Sequence, residues 1–416
     1  MPNSLSNCEP HKISSHFSPW INYFVGLMLL ISPLSFASSG AYETRLIESL
    51  SSYQQGGDKS TEAMLRQYIV DYPNSQSAHL MLADLLASRS GLVAPDDQYK
   101  KSIASNITNK QLDGLRDELN LRWNQLTEFN PAKQGLVPAS ILKLDKQHRT
   151  ALFVDTKAAR LYVFNNNNGS LEHVNDYYIT IGLQGTHKQI EGDEKTPIGV
   201  YHVTSFIPDE ELPPLYGTGA FPINYPNIID KRHKRTGYGI WIHGTHPESF
   251  NRVPYASNGC VALSNPEFTA LRSLVDPGLR TPVVISDDVD WIAPSNDTQA
   301  TEILKRTLFS WQTGWESLDT DKYLNHYSKT KFKSQGGHNY RKWATQKRQV
   351  GKNKTRVDIG LTNISLFTYP SEKDMVVVDF NQHYQSNNFE SESSKRQYWQ
   401  KDQTGDWKII YEGKPR

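Results

Sequence analysis

At 416 residues the chain is too long for one ordinary domain and implies two or three. Its 45 Lys+Arg against 44 Asp+Glu give a formal net charge of +1, so no global field draws it to a polyanion. No nucleic-acid partner is therefore expected.

Lys12 and two histidines precede an apolar stretch from Trp20 to Phe36, which ends in Ser35-Phe36-Ala37 followed by small residues. That pattern resembles a secretory signal peptide, residues 1–37, cleaved after Ala37. The alternative is an uncleaved anchor, because the apolar run is nearly long enough to span a bilayer. Either way the expected location is exported and periplasmic, membrane-anchored if the signal stays. Cys8 lies before the apolar run and goes with the signal, which leaves Cys260 as the one thiol of an exported chain. Such a cysteine has no intramolecular disulfide partner and is a candidate reactive group.

Residues 41–130 carry apolar positions at helical spacing, broken at Tyr72-Pro73-Asn74, and suggest a helical hairpin of the tetratricopeptide sort without a second copy. Homo-oligomerisation or partner contact is the expected role of these helices. Asn130 to Ser140, with Pro131, Gly135 and Pro138, reads as a linker. Alternating β-branched and aromatic residues then predict strands in TALFVDTKAARLYVF and YYITIGL, separated by a turn at Asn165 to Gly169. KTPIGVY feeds another strand, and Asp209 to Asn227 predicts a long loop able to cover a cleft. A helix around Pro266 to Val275 and a last strand, Thr281 to Ser286, complete a β-rich domain over 141–288. Asp287 to Thr301 reads as a second linker. From residue 301 to 416, helices bearing Trp311 and Trp315 precede four strand-like segments, which predicts an α+β cone.

The chemistry concentrates in GIWIHGTHPESFNRVPYASNGCVALSN. Ile240-Trp241-Ile242 reads as a short buried strand delivering His243. The Ser257-Asn258-Gly259 turn presents Cys260 at the start of a second element. A thiolate attacks an acyl carbon while a nearby imidazole takes a proton and later returns one. A zinc reading of His243 and His246 fails because no acidic base lies between them and the spacing is not that of a metal-binding helix. No metal and no cofactor are expected.

IHGTH…SNGCVAL, preceded by KTPIGVY, resembles the YkuD-type L,D-transpeptidase catalytic domain of bacterial cell-wall enzymes. The C-terminal segment, with paired tryptophans and a closing GDWKI, resembles an NTF2-like (SnoaL-type) domain. The order of helices, YkuD-like domain and NTF2-like domain is similar to the periplasmic L,D-carboxypeptidases of helical-shape bacteria. The resemblance implies that Cys260 is the nucleophile and His243 its base and acid, with the Gly244 carbonyl orienting the imidazole. It implies an oxyanion site at Gly259 and Cys260, with Tyr225 as a further donor. Ser257 shapes the turn, and His246 is placed to touch substrate. Many family members carry an arginine two residues after the nucleophile, where this chain has Ala262. Arg252 is the first substitute for binding a substrate carboxylate, with Lys231, Arg232 and Arg235 behind it.

The implied partner is a peptidoglycan stem peptide. An amine resolving the thioester gives a 3-3 cross-link; water instead gives L,D-carboxypeptidase activity. An amidase releasing a wall-anchored lipoprotein and a non-catalytic wall-binding scaffold remain as alternatives. The ten Lys/Arg between Lys329 and Arg356, with no acid among them, suggest either a solvated face or a surface for an anionic glycan, and the cone suggests a small-ligand pocket.

Overall fold

The computed structural model describes residues 41–56, 59–90, 109–127, 130–132, 134–250, 252–294 and 298–415; the expected signal segment lies outside them. Four helices open the described chain: α1 (Ala41–Gln54), α2 (Lys59–Asp71), α3 (Gln76–Arg89) and α4 (Asn109–Thr127). Tyr72-Pro73-Asn74 separates α2 from α3, and the Ser75 hydroxyl caps α3 by accepting from the Ala78 N–H. Leu46, Leu50, Leu65, Tyr68, Met81 and Leu85 form the helices' own core.

Next come β1 (Val137–Pro138), β2 (Ile141–Lys143), β3 (Thr150–Asp155), β4 (Arg160–Asn167), β5 (Ser170–Tyr178), β6 (Ile181–Gly182) and β7 (Gly199–His202). After them come β8 (Ala220–Pro222), helix α5 (Ile228–Arg232), β9 (Trp241–His243), β10 (Tyr255–Ser257), β11 (Val261–Ala262), helix α6 (Asn265–Arg272), β12 (Pro282–Ser286) and β13 (Trp291–Ile292). The central sheet has the order β5-β4-β3-β12-β7, and a small sheet β11-β9-β8 packs beside it. Leu152, Val163, Phe221, Ile242, Val261 and Phe268 share one core, so the small sheet that carries His243 and leads out of Cys260 rests on the large one.

The turn expected over 165–169 is tighter than its composition suggests. β4 runs to Asn167, which pairs with Ser170, and only Asn168 and Gly169 turn, both at positive φ. An Asn-Gly pair is the strongest two-residue hairpin signal, and the polar asparagines before it belong to a protruding strand end.

Both expected linkers are ordered where they are described. Val137 and Pro138 pair with Ile292 and Trp291, and Trp291 packs edge-on against Phe153 and Tyr162. Proline and glycine gave these stretches a linker composition, but their few large apolar side chains find burial.

The last part contains α7 (Gln299–Glu316), α8 (Thr320–Leu324), β14 (Lys333–Ser334), α9 (Tyr340–Gly351), β15 (Val357–Thr368), β16 (Met375–Ser386), β17 (Phe389–Lys401) and β18 (Trp407–Gly413). The expected four-strand meander forms the middle of a six-stranded sheet, order β14-β18-β17-β16-β15-β2. Trp311, Tyr323 and Tyr327 pack with Trp399, Val376 and Ile409 of this sheet in one buried cluster. One of the sheet's two edge strands, β2, comes from the start of the stretch expected to open the catalytic domain. The architecture is thus a helical region, a β-rich domain and an α+β cone, the last two joined through a shared apolar core that includes Phe153, Tyr162, Phe367 and Tyr398.

Candidate active site

β9 and β11 are parallel neighbours, with Val261 opposite Ile242 and Ala262 opposite His243. Cys260, immediately before β11, is therefore level with Trp241, and His243 lies two residues further along a strand about 4.8 Å away. The His243 Nδ1 lies 2.5 Å from the Gly244 carbonyl. A carbonyl only accepts, so Nδ1 carries the proton and Nε2 is left with the lone pair a base needs. No side chain fits at Gly244, where a Cβ would stand 2.3 Å from the Asn265 Oδ1. That same oxygen accepts from the Thr245 and Thr218 N–H groups and fixes the turn after His243.

Ser257 shapes the other turn. Its hydroxyl donates to the Cys260 carbonyl at 2.7 Å and accepts from the Gly259 N–H at 3.1 Å. Gly259 is at φ +114, and a Cβ there would meet the Lys195 carbonyl at 2.7 Å, so glycine is required on two counts. The Thr196 hydroxyl, from KTPIGVY, donates to the Gly259 carbonyl and ties that motif to the turn. The Cys260 thiol donates to the Gly239 carbonyl at 3.4 Å and is only 8% exposed.

Burial pushes the Cys260 thiol up to about 11, against smaller opposing effects of the Trp241 N–H and Lys188. Burial also pulls His243 down to about 4, opposed by its bond to Gly244. At neutral pH the pair is a thiol beside a neutral imidazole.

Residues 149–285 match the L,D-transpeptidase catalytic domain family (YkuD), and residues 303–413 match the Cds6 C-terminal NTF2-like domain. The chain carries an L,D-transpeptidase catalytic domain followed by an NTF2-like domain. It is similar to Bd1075 of Bdellovibrio bacteriovorus at 29% identity, over 68% of this chain and 99% of that one, with a TM-score of 0.58. It is also similar to the helical cell shape determining protein Pgp2 of Campylobacter jejuni at 25% identity, over 68% and 98% of the two chains, TM-score 0.56. No curated protein sequence matches it. The chain is an enzyme of the L,D-transpeptidase or L,D-carboxypeptidase type.

Within this L,D-transpeptidase domain, Arg252 lies close enough to His243 for its charge to depress the imidazole, and its Nη2 donates to the Ala256 carbonyl. Arg252 and His246 line one cleft. Two of the cations ranked behind Arg252 face the NTF2-like domain instead. Arg232 donates to the Ile410 and Lys331 carbonyls, and Arg235, paired with Asp230, reaches Glu372 at 3.8 Å. Tyr225 is also turned away: its hydroxyl donates to the Thr236 carbonyl at 3.0 Å and its ring packs near Tyr201. The phenol over the site is Tyr216, whose ring lies 4.9 Å from His243 and 5.0 Å from Trp241. It belongs to the loop expected to cover a cleft, but nothing in its spacing marked it above the other aromatics there.

Lys188 was equally hidden. Its ammonium is buried, paired with Asp193 at 2.6 Å and near enough to Cys260 to favour the thiolate.

Proposed function

We propose that the protein is an exported enzyme that cuts peptidoglycan stem tetrapeptides through a thioester on Cys260. The observation that carries this reading is the Nε2 lone pair of His243 on the strand beside the Cys260 thiol. In the first step Sγ bonds to the carbonyl carbon of the third stem residue while the thiol proton passes to Nε2. The imidazolium then protonates the departing D-alanine amine as the C–N bond breaks. The Cys260 N–H stabilises the oxyanion between these steps; the Gly259 N–H is engaged by Ser257 Oγ. Water closes the cycle, giving tripeptide and the thiol. Hydrolysis is favoured over cross-linking because the sulfur is nearly buried and Tyr216 roofs the imidazole, so water reaches the thioester more easily than a second stem peptide. Incubation with tetrapeptide sacculi tests this. Tripeptide and free D-alanine are expected; 3-3 dimers would instead mark a transpeptidase. Cys260→Ala removes either product, and activity surviving it would place the chemistry elsewhere.

A second site takes a ligand. The NTF2-like cone encloses a cavity of ≈ 470 Å³ lined by Trp315, Tyr384, Lys347, Lys354 and Lys395. Lys347 lies over the Trp315 and Trp343 rings at 4.6 and 4.4 Å, and burial lowers it to about 8. The basic stretch thus splits: Lys347 and Lys354 face the cavity, while Arg341, Lys342 and Arg348 are exposed. Aromatic walls with ammonium groups suit a glycan bearing carboxylates.

A further inference from the structure

The loop between His243 and Cys260 is held by the helical region from three directions. The Phe250 ring sits 5.7 Å from Tyr42 of α1 and 5.0 Å from Tyr72 at the end of α2. The Asn74 amide, in the α2–α3 turn, donates to the Glu248 carboxylate at 3.4 Å. Gly114 of α4 is pressed on Val253, so that a Cβ at Gly114 would come within 2.8 Å of its Cγ1. Behind this loop the helices dock through a buried ionic cluster, in which the Glu43 carboxylate accepts from Arg122 at 2.8 Å and Arg160 at 2.7 Å. Arg252 lies on the clamped loop, its carbonyl accepting from the Tyr178 hydroxyl at 2.9 Å.

Between loop and helices runs an open cleft of ≈ 580 Å³. Arg252, His246 and Ser249 line one side; Pro73, His79 and Gln111 line the other. The family matches begin at residue 149, so the helical wall lies outside everything they assign.

Resting on the reading above, we propose that the helical region forms one wall of the substrate cleft, and that by fixing the Phe250 loop it holds Arg252 to receive a stem-peptide carboxylate. A guanidinium fork recognises a carboxylate with two parallel hydrogen bonds, which an amide of the same shape cannot accept. The stem tetrapeptide offers two such groups: the terminal carboxylate of D-alanine and the side-chain carboxylate of a diamino acid at the third position.

Full-length protein is assayed on three peptides: the free tetrapeptide, the terminal amide and the side-chain amide. Amidating one of the two carboxylates is expected to lower wild-type kcat/KM roughly 10- to 100-fold, and the affected peptide names the group bound. Arg252→Ala loses a similar factor on the free peptide and no longer distinguishes the amide. Phe250→Ala raises KM for the free peptide about 5- to 10-fold with little change in kcat, and weakens the discrimination. Phe250→Tyr restores both. The alkylation rate of Cys260 by uncharged iodoacetamide stays at the wild-type value in Phe250→Ala, showing an intact site; Phe250→Leu replaces that variant if it unfolds. Wild-type turnover indifferent to both amides, or unchanged KM and discrimination in Phe250→Ala, overturns the inference alone. A wild type inactive on all three peptides overturns the enzyme reading and this inference together.

Discussion

Two groups of buried titratable side chains lie on either side of the Phe250 loop, and burial treats them oppositely. At the helical interface, Glu43, Glu118 and Asp176 share the guanidinium groups of Arg122 and Arg160. Burial alone would raise the Glu43 carboxyl, yet Arg160 and Arg122 hold it below its ordinary value. At the candidate active site, no full charge among the described residues is paired with Cys260 or His243, and burial leaves both neutral. A buried group keeps its charge where a fork meets it and gives the charge up where none does. The first arrangement fastens two domains; the second keeps a proton transferable.

The contrast is broken most severely at Arg160. Arg160→Met strips Asp176 of its guanidinium and leaves Glu43 with Arg122 alone, and a loss of about 3–5 kcal/mol is expected in urea unfolding of the full chain. An effect below about 1 kcal/mol would mean that the cluster is hydrated and does not fasten the interface.

The catalytic side is sharpened by pH. With His243 near 4 and Cys260 near 11, thiol and neutral imidazole coexist across the neutral range. The kcat/KM for tetrapeptide should be level from roughly pH 6 to 9 and fall in acid as the imidazole is protonated. Iodoacetamide alkylation should climb through pH 9 in step with the thiolate; an inflection between roughly pH 5 and 7 would reveal a preformed thiolate–imidazolium pair instead.

The smallest effect is expected at Glu267 in α6, which belongs to neither group. Its Oε2 accepts from the Ser264 hydroxyl at 2.8 Å, and its Oε1 has no hydrogen-bond partner among the described residues. Burial, then the Glu43 charge, push it up to about 8, with Arg122 and Arg160 opposing; Tyr42 also faces it. A carboxyl raised in the folded state favours folding below its unfolded pKa and loses that contribution as pH rises through about 8. Glu267→Gln should therefore raise Tm at pH 9, by about 2–4 °C for each kcal/mol relieved, and leave it nearly unchanged at pH 5. An equal shift at both pH values would show that the carboxyl does not titrate there.

What the sequence made legible was local. The glycine before Cys260, the strand before His243 and the serine two residues before Gly259 each act through neighbours in the chain, and their spacing survives as a motif. Tyr216, the Lys188–Asp193 pair and the Phe250 clamp act through residues 25 to 208 positions away, and no period or spacing encodes such meetings. Tyr225 shows the reverse error. An aromatic in a covering loop looked available, but its hydroxyl was already committed to Thr236. The strands of the cone were readable because each is long and alternating. β1, β2 and β13 were not, since two- and three-residue strands carry no period.

Strand β2 has a bearing on how the molecule comes into being. Ile141 and Lys143 pair with Phe367 and Leu366, and the adjoining Asp145 N–H donates to the Ser365 hydroxyl across 220 positions. During synthesis from the amino end, that stretch emerges long before its acceptor strand exists, and the apolar face of Phe153 and Tyr162 waits with it for Phe367 and Tyr398. A ribosome that stops short of residue 365 therefore releases the cysteine domain with an unmated edge and an open apolar flank, the two features that make nascent chains stick to one another.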